Sequence, residues 1–399
     1  MNPSKNKVIG IALITAIALL GDALFIIVLP LQWQEFGLIS IWQVGLLLSI
    51  NRFIRLPINP LVGMFYQRFQ LKTGILISLI IAVFTTASYG FFKEFWLLFT
   101  MRALWGVAWS FLRIGGYLTV IETTTEANHG KNVGLYNGLW GLGGLVGMLA
   151  GGILVDQSSI SIKMVTTLFS LVGLITIPAV IHLVPSTKNN PKQTQAKVTV
   201  KEWINSYITL ILITGTVMGF IVFGLFASTL SRLIEDTYHA EWTVLHITIG
   251  AATLTGFIQA LRWAWDPFIA PKIGNIIDKR KIPAHVILFP LLAGGIIISA
   301  LVSFKTVGVL IILLLFFQMI STLFVTITDS LAIKAAAKSD KVKVMTAYTI
   351  VIDVGAALGP LLAFIVLDMY SLNSIYYLSG IIMICLGIVW LVYIHTRLR

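Results

Sequence analysis

Cysteine is nearly missing from the chain. Cys385 is the only one among 399 residues, which excludes an intramolecular disulfide and any cysteine-cluster metal site. Charge is scarce as well: 11% of residues carry it, and the 16 acids are outnumbered by 28 bases. With 57% hydrophobic residues, so few charges cannot clothe a soluble core of this size in polar surface. Walker-type glycine loops, HExxH and Gly-x-Ser-x-Gly are absent, and no polar segment is long enough to form a catalytic domain. These absences exclude an enzyme and a single-chain ATP-driven pump, and no cofactor or metal is expected.

What the chain does contain is apolar runs of about 20 residues, the length that crosses roughly 30 Å of hydrocarbon. Twelve are found, at 8–30, 42–66, 73–92, 95–120, 133–154, 163–184, 205–233, 243–271, 284–303, 307–333, 343–367 and 374–395. The reading is an all-α membrane protein of twelve transmembrane helices. Of the 28 basic residues, nineteen fall between spans on the side of the N-terminus. Four fall on the other side (Lys93, Lys163, Arg232 and Lys305) and five lie inside spans. Cytoplasmic loops hold the excess of Lys and Arg, so both termini are assigned to the cytoplasm. The net charge of +12 is spread over these short segments and reads as a topology signal, with no nucleic-acid partner. Helix 1 lacks a small-residue cleavage site and is expected to be retained as a span.

The longest polar stretch between spans, VPSTKNNPKQTQAKVTVKEW, has the composition of a solvated linker. It gives three segments: a six-helix bundle at 1–184, a cytoplasmic linker at 185–203 and a second six-helix bundle at 204–399. The two bundles share a pattern. Pro60 and Gly63 in helix 2 match Pro271 and Gly274 in helix 8, and Gly143, Gly147 and Asp156 match Gly355, Gly359 and Asp368. The interval from Gly63 to Gly147 is 84 residues and that from Gly274 to Gly359 is 85. Agreement over separate elements points to an internal duplication with parallel topology.

Three further motifs stand out. The loop after helix 2, GMFYQRFQLK, has Gly63, Arg68 and Lys72, with Gln67 between them, and its copy after helix 8, GNIIDKRK, has Gly274, Asp278, Lys279 and Arg280. Helix 4 holds RALWG, with Arg102 and Gly106. Helix 5 carries Gly134, Gly143, Gly147, Gly151 and Gly152, with Met148 between the third and fourth, and helix 11 carries Gly355, Gly359 and Pro360. Over essentially the whole chain these elements resemble the major facilitator superfamily, and the helix 5 register resembles its proton-driven drug antiporters. In that pattern a proline follows the third glycine, where this chain has Met148, and an acid stands where it has Gln67. The resemblance implies two pseudo-symmetric bundles and an inner-surface gate at Gly63, Arg68, Asp278 and Arg280. For the glycines, with Pro360, the residues themselves give a second reading as close helix packing, since small residues at four-residue spacing let backbones approach.

Charge within hydrocarbon is costly unless it faces a partner or water, so nine residues need reasons: Arg52, Arg55, Arg102, Arg113, Arg262, Asp22, Asp266, Asp329 and Asp353. On a helical wheel Asn51, Arg52, Arg55 and Asn59 share one stripe about 100° wide. Helix 8 places Gln259, Arg262 and Asp266 on a comparable stripe, where Arg262 and Asp266 can pair at i, i+4. Depth along the helices pairs Arg55 with Asp353 to within about 1.5 Å of helical rise, and Arg52 with Asp22. The Arg55 and Asp353 pair reads equally as a latch between halves and as part of transport. Asp22 is the candidate proton carrier, because burial favours the neutral acid and a nearby arginine favours the carboxylate, and Arg102, deep in helix 4, is assigned to proton coupling as well. Asn51, Arg52, Arg55, Arg113, Arg262, Asp266 and Asp329 are assigned to a substrate cavity.

The expected function is secondary active transport by alternating access: export of a small organic molecule, anionic or zwitterionic, driven by inward proton flow. Importer or facilitator of an organic anion, and non-transporting sensor, are the alternatives on the same fold. The expected partners are the substrate, protons and membrane lipid, for a monomer in the cell membrane, a bacterial inner membrane.

Overall fold

A computed structural model describes residues 3–123, 129–157, 160–184, 205–238, 242–244, 247–279 and 284–397. The chain runs as α1 (Pro3–Leu31), α2 in two pieces (Trp42–Phe53 and Arg55–Arg68), α3 (Leu71–Ser88), α4 (Phe95–Thr123), α5 (His129–Val155) and α6 (Ile162–Leu183). It continues as α7 (Ser206–Glu235), α8 (Ala251–Lys279), α9 (Leu288–Ala300), α10 (Val307–Ala337), α11 (Lys341–Met369) and α12 (Leu372–Arg397). Among the described residues, nine helices are long and apolar enough to cross a membrane. The remaining three have local reasons for falling short. Helix α9 is 13 residues long, α8 carries Arg262, Asp266, Lys272, Asp278 and Lys279, and α2 is interrupted at Ile54. Pro57 explains the interruption: it has no N–H for the carbonyl of Phe53, and its ring crowds that carbonyl.

The sequence places the start of helix 8 at residue 243. Instead a short antiparallel pair precedes the helix, β1 (Trp242–Val244) against β2 (Ile247–Ile249), and α8 begins at Ala251. The run WTV and ITI is β-branched and aromatic, which suits a pleated strand as well as an apolar span, and hydropathy alone does not separate the two.

Packing divides the chain into two compact units. Unit 1 comprises Met1–Ile39, Leu46–Gln195 and His239–Ala264; unit 2 comprises Ser40–Gly45, Ala196–Tyr238 and Trp265–Arg399. The first turns of α8 therefore belong with α1 to α6, and the first turns of α2 belong with α11. The linker expected at 185–203 lies outside the described residues.

In unit 1 the interior is built on Ile11, Tyr66, Ile75, Trp105, Leu112 and Tyr136. Lipid is as apolar as leucine, so helices are held by close contact more than by expulsion of water. The glycines of α5 supply that contact. A Cβ at Gly143 would overlap the backbone of Ala16, one at Gly147 would crowd Leu20 and Ala23, and one at Gly151 would crowd Leu24, all in α1. Gly152 faces the other way, onto the carbonyl of Ala252 in α8. Met148, standing where the antiporter pattern has proline, is buried against Ala23, Ile27 and Ala252, and α5 runs unbroken through it.

Two glycines depart from the expectation. Gly134 is exposed and a Cβ there would meet nothing within 4 Å, so it takes no part in packing. Gly63, which the resemblance places at the inner gate, lies within α2, which continues to Arg68, and a Cβ there would also meet nothing within 4 Å. In unit 2, α7 carries a π-helical segment, Gly219–Phe226, a feature that often marks functional sites. It packs on α11, where Gly355 faces the carbonyl of Thr216 and Gly359 lies against Gly224 and Leu225.

Candidate functional site

The site in unit 1 begins with a close approach of backbones. Gly106 of α4 presses on the carbonyl of Asn51 in α2, with no room for a Cβ. One turn earlier on α4 is Arg102, 0% exposed, and this approach brings its Nε to donate to the carbonyl oxygen of Leu47 at 3.1 Å. Its Nη1 donates to Asp22 Oδ1 of α1 at 2.5 Å and to the Tyr89 hydroxyl at 3.3 Å. The guanidinium carbon lies 4.9 Å from the centre of the Phe25 ring, which stacks on Tyr89 at 4.3 Å. Arg102 Nη2 is buried and has no hydrogen-bond partner among the described residues. Asp22 keeps 11% of its side chain exposed.

This arrangement is a charge pair sealed on the arginine side and open on the acid side. In a site of low polarity the attraction is strong and the loss of either charge leaves the other poorly solvated. Besides Asp22, Arg102 is held by the carbonyl of Leu47 and the hydroxyl of Tyr89. Helical depth points to Arg52 as the partner of Asp22; the ion pair that forms is with Arg102. Depth fixes the height of a group in the membrane and leaves open which neighbouring helix turns towards it.

The polar stripe of α2 survives the break at Ile54. Asn51 and Arg55 are buried at 8% and 7% exposure, and Arg52 is half-buried. Asn51 Oδ1 is buried without a partner among the described residues. Arg55 belongs to unit 1 and Asp353, also buried, to unit 2. Arg262 is half-buried, while Arg113 and Arg68 are exposed. The side chain of Asp278 and the whole of Arg280 lie outside the described residues.

Unit 2 holds a cavity of about 200 Å³ lined by Asp266, Thr322, Val325, Thr326, Asp329, Ser330 and Ile333. Both acids are held by hydroxyl donors. Thr322 Oγ1 donates to Asp266 Oδ1 at 2.5 Å and itself accepts from Trp265 Nε1 at 3.3 Å. Tyr348 of α11 donates to Asp329 Oδ1 at 2.6 Å. Among the described residues two carboxylates, three hydroxyl side chains and no basic group line the space, so it suits a proton or a positively charged group. Asp266 and Asp329 were both expected at the substrate cavity, and they line this one together. Tyr89, Thr322 and Tyr348 were not picked out. A hydroxyl in an apolar run gives no charge signal, and only its position against an acid on another helix reveals it.

A family model described as Major Facilitator Superfamily matches residues 11–284. The tetracycline resistance protein, class B, of Escherichia coli is 28% identical over 215 residues, 53% of this chain and 51% of that protein. The probable vesicular acetylcholine transporter-B of Danio rerio is 29% identical over 115 residues, 29% of this chain and 23% of that protein. The chain thus spans from 23% to 51% of the length of these curated relatives. Among solved structures, the nucleoside transporter NupG superposes with a TM-score of 0.75 over 100% of both chains at 12% identity. A bacterial homologue of the human lysosomal transporter Spinster, inward-facing and unoccupied, gives 0.73 over 98% of this chain and 95% of that one at 15% identity. At such identities the likeness to these structures is one of fold.

Proposed function

Since the chain belongs to the major facilitator superfamily, we propose that it is a proton-coupled exporter of a small organic molecule, working by alternating access. The observation that carries the reading is the Asp22 and Arg102 pair: one titratable acid in a transmembrane helix, partly accessible, beside a buried arginine that has other acceptors to hold it. Protonation of Asp22 removes its attraction for Arg102, so proton binding and the packing of α1 against α4 are coupled. Among the relatives, a tetracycline resistance protein supports export and a vesicular acetylcholine transporter supports a substrate with a positive group.

The acidic cavity of unit 2 favours the positive end of a substrate. A cation or the positive end of a zwitterion suits these carboxylates, and a purely anionic substrate leaves Asp266 and Asp329 without a role. Arg55, Asp353 and the inner loops at Gly63, Arg68, Asp278 and Arg280 are proposed as gate residues. The protein acts as a monomer in the cell membrane, a bacterial inner membrane.

The test is a counterflow assay on inverted vesicles with an imposed pH gradient, run against a panel of zwitterionic, cationic and anionic compounds. Wild-type protein is expected to drive uphill movement of its substrate. Asp22→Asn is expected to lose uphill movement and keep exchange; undiminished coupling in that variant rejects the role of Asp22.

A further inference from the structure

We propose that the seam between α3 and α6 in unit 1 is a binding site for an anionic phospholipid, which lays one acyl chain in an apolar groove and sets its phosphate at Lys163. The inference concerns the outer surface of one unit and needs neither the substrate nor the coupling ion to be known.

Two glycines tie these helices together. A Cβ at Gly173 of α6 would crowd Val83 of α3, and one at Gly90, just after α3, would overlap Thr166 and crowd Lys163. Close approach of this kind holds helices in lipid. Between the two ties the outward side of the seam is hollow, a groove of about 400 Å³. Small residues, Ala87 and Ser170, lie between the larger Phe84, Phe91, Leu171 and Leu174. Phe84, Phe91, Leu171 and Leu174 are all exposed, and exposed apolar groups at this depth meet hydrocarbon. The Ser170 hydroxyl adds no polar demand, because it donates to the carbonyl of Thr166 at 2.7 Å within its own helix.

The mouth of the groove is chemically different. Lys163 stands in the first turn of α6, and its Nζ lies 4.5 Å from the centre of the Phe91 ring, one wall of the groove. That contact holds the ammonium over the mouth. Lys163 is exposed and makes no ion pair among the described residues. One helical turn deeper, about 6 Å by rise, Thr167 lines the groove and offers a hydroxyl. A cation, then a hydroxyl, then an apolar channel is the order that matches phosphate, ester and acyl chain. The channel runs along α6 from Thr167 to Ile177, about 15 Å by rise, which is half of the roughly 30 Å of hydrocarbon and so the depth of one leaflet.

The level of the mouth agrees. Because successive helices alternate in direction, the end of α3, the start of α4 and the start of α6 lie on one face. Trp96, in the first turn of α4, is 72% exposed there, and tryptophan favours the headgroup level. Lys163 is thus placed among lipid phosphates. A zwitterionic headgroup brings its own cation to the phosphate and an anionic one does not, so Lys163 favours the anionic lipid. One basic side chain near the membrane surface corresponds to a preference of about fivefold.

The experiment uses the full chain in phosphatidylcholine liposomes containing a minor share of phosphatidylglycerol with a photoreactive diazirine in its acyl chain. Cross-links, located by peptide mass spectrometry, are expected to concentrate on 80–91 and 167–177. Lys163→Gln is expected to cut this labelling about fivefold and to leave labelling by a diazirine phosphatidylcholine unchanged. Ala87→Trp, which fills the groove, is expected to remove labelling by both lipids. Thermal unfolding in detergent shows whether each variant folds; if Ala87→Trp does not, Lys163→Gln, a change at an exposed residue, decides alone. Labelling spread evenly onto exposed residues of other helices, such as Ile312 and Phe316 of α10, and indifferent to Lys163→Gln overturns the proposal and leaves the seam to bulk lipid. A seam that takes no label, in a chain that native mass spectrometry shows to be dimeric, overturns it in favour of a second copy as the occupant.

Discussion

The acid in unit 1 and the acids in unit 2 solve the same problem in opposite ways. Asp22 meets a guanidinium that is fully buried and ringed by Phe25 and Tyr89. Asp266 and Asp329 meet hydroxyls and open on a cavity. A carboxylate neutralised by a fixed arginine is chiefly a switch, since its charge is already matched. One that takes a hydroxyl donor and lines a cavity, as Asp329 does with Tyr348, places its carboxylate where a ligand can reach it. In the proposed function the first arrangement answers to the proton and the second to the substrate, and three substitutions probe that division.

Arg102→Leu carries the largest expected effect. It leaves Asp22 charged among apolar groups, and breaking a buried pair in this way costs about 3–5 kcal/mol. Thermal unfolding in detergent should show the loss, and adding Asp22→Leu should restore much of it, because the second change removes the stranded charge. Failure of the double variant to recover stability would mean that Arg102 acts mainly through Leu47 and Tyr89. Asp329→Asn comes next and should leave stability nearly unchanged. Competition by cationic compounds in the transport assay should weaken by about tenfold, equivalent to about 1.4 kcal/mol; equal weakening for neutral compounds would show that Asp329 shapes the cavity without reading charge. Tyr348→Phe is the mildest. It removes one hydrogen bond to Asp329, worth about 1 kcal/mol, and should change KM for a cationic substrate a few-fold with kcat preserved.

Much of this molecule is legible in one dimension. Twelve apolar runs foretell the helices, and the matched intervals foretell that Asp156 and Asp368 stand at corresponding places after Gly147 and Gly359. The glycine register of α5 is read correctly as close packing at Gly143, Gly147, Gly151 and Gly152. Gly134 fits the register and touches nothing, because spacing along a helix says which residues share a face and not where a neighbour ends. The hairpin before α8 escapes for a different reason: Trp242, Thr243, Val244 and Ile247 are as apolar as a span, and strand and helix share that composition. Asp22 is recognisable as unusual on its own, but its partner is not. Arg52, Arg55 and Arg102 all lie within reach by depth, and the choice of Arg102 depends on Gly106 letting α4 close on α2.

By itself, then, the sequence determines that the chain crosses a membrane many times, that it is a duplicated design, and which few residues carry charge where charge is costly. Those properties follow from hydropathy and periodicity, which are local. Tertiary structure decides how the charges are matched: Asp22 to Arg102, Asp329 to Tyr348, Asp156 to the first turn of α8. Such choices depend on the rotation and approach of whole helices, and these are set by sums of small contacts from residues far apart in the chain.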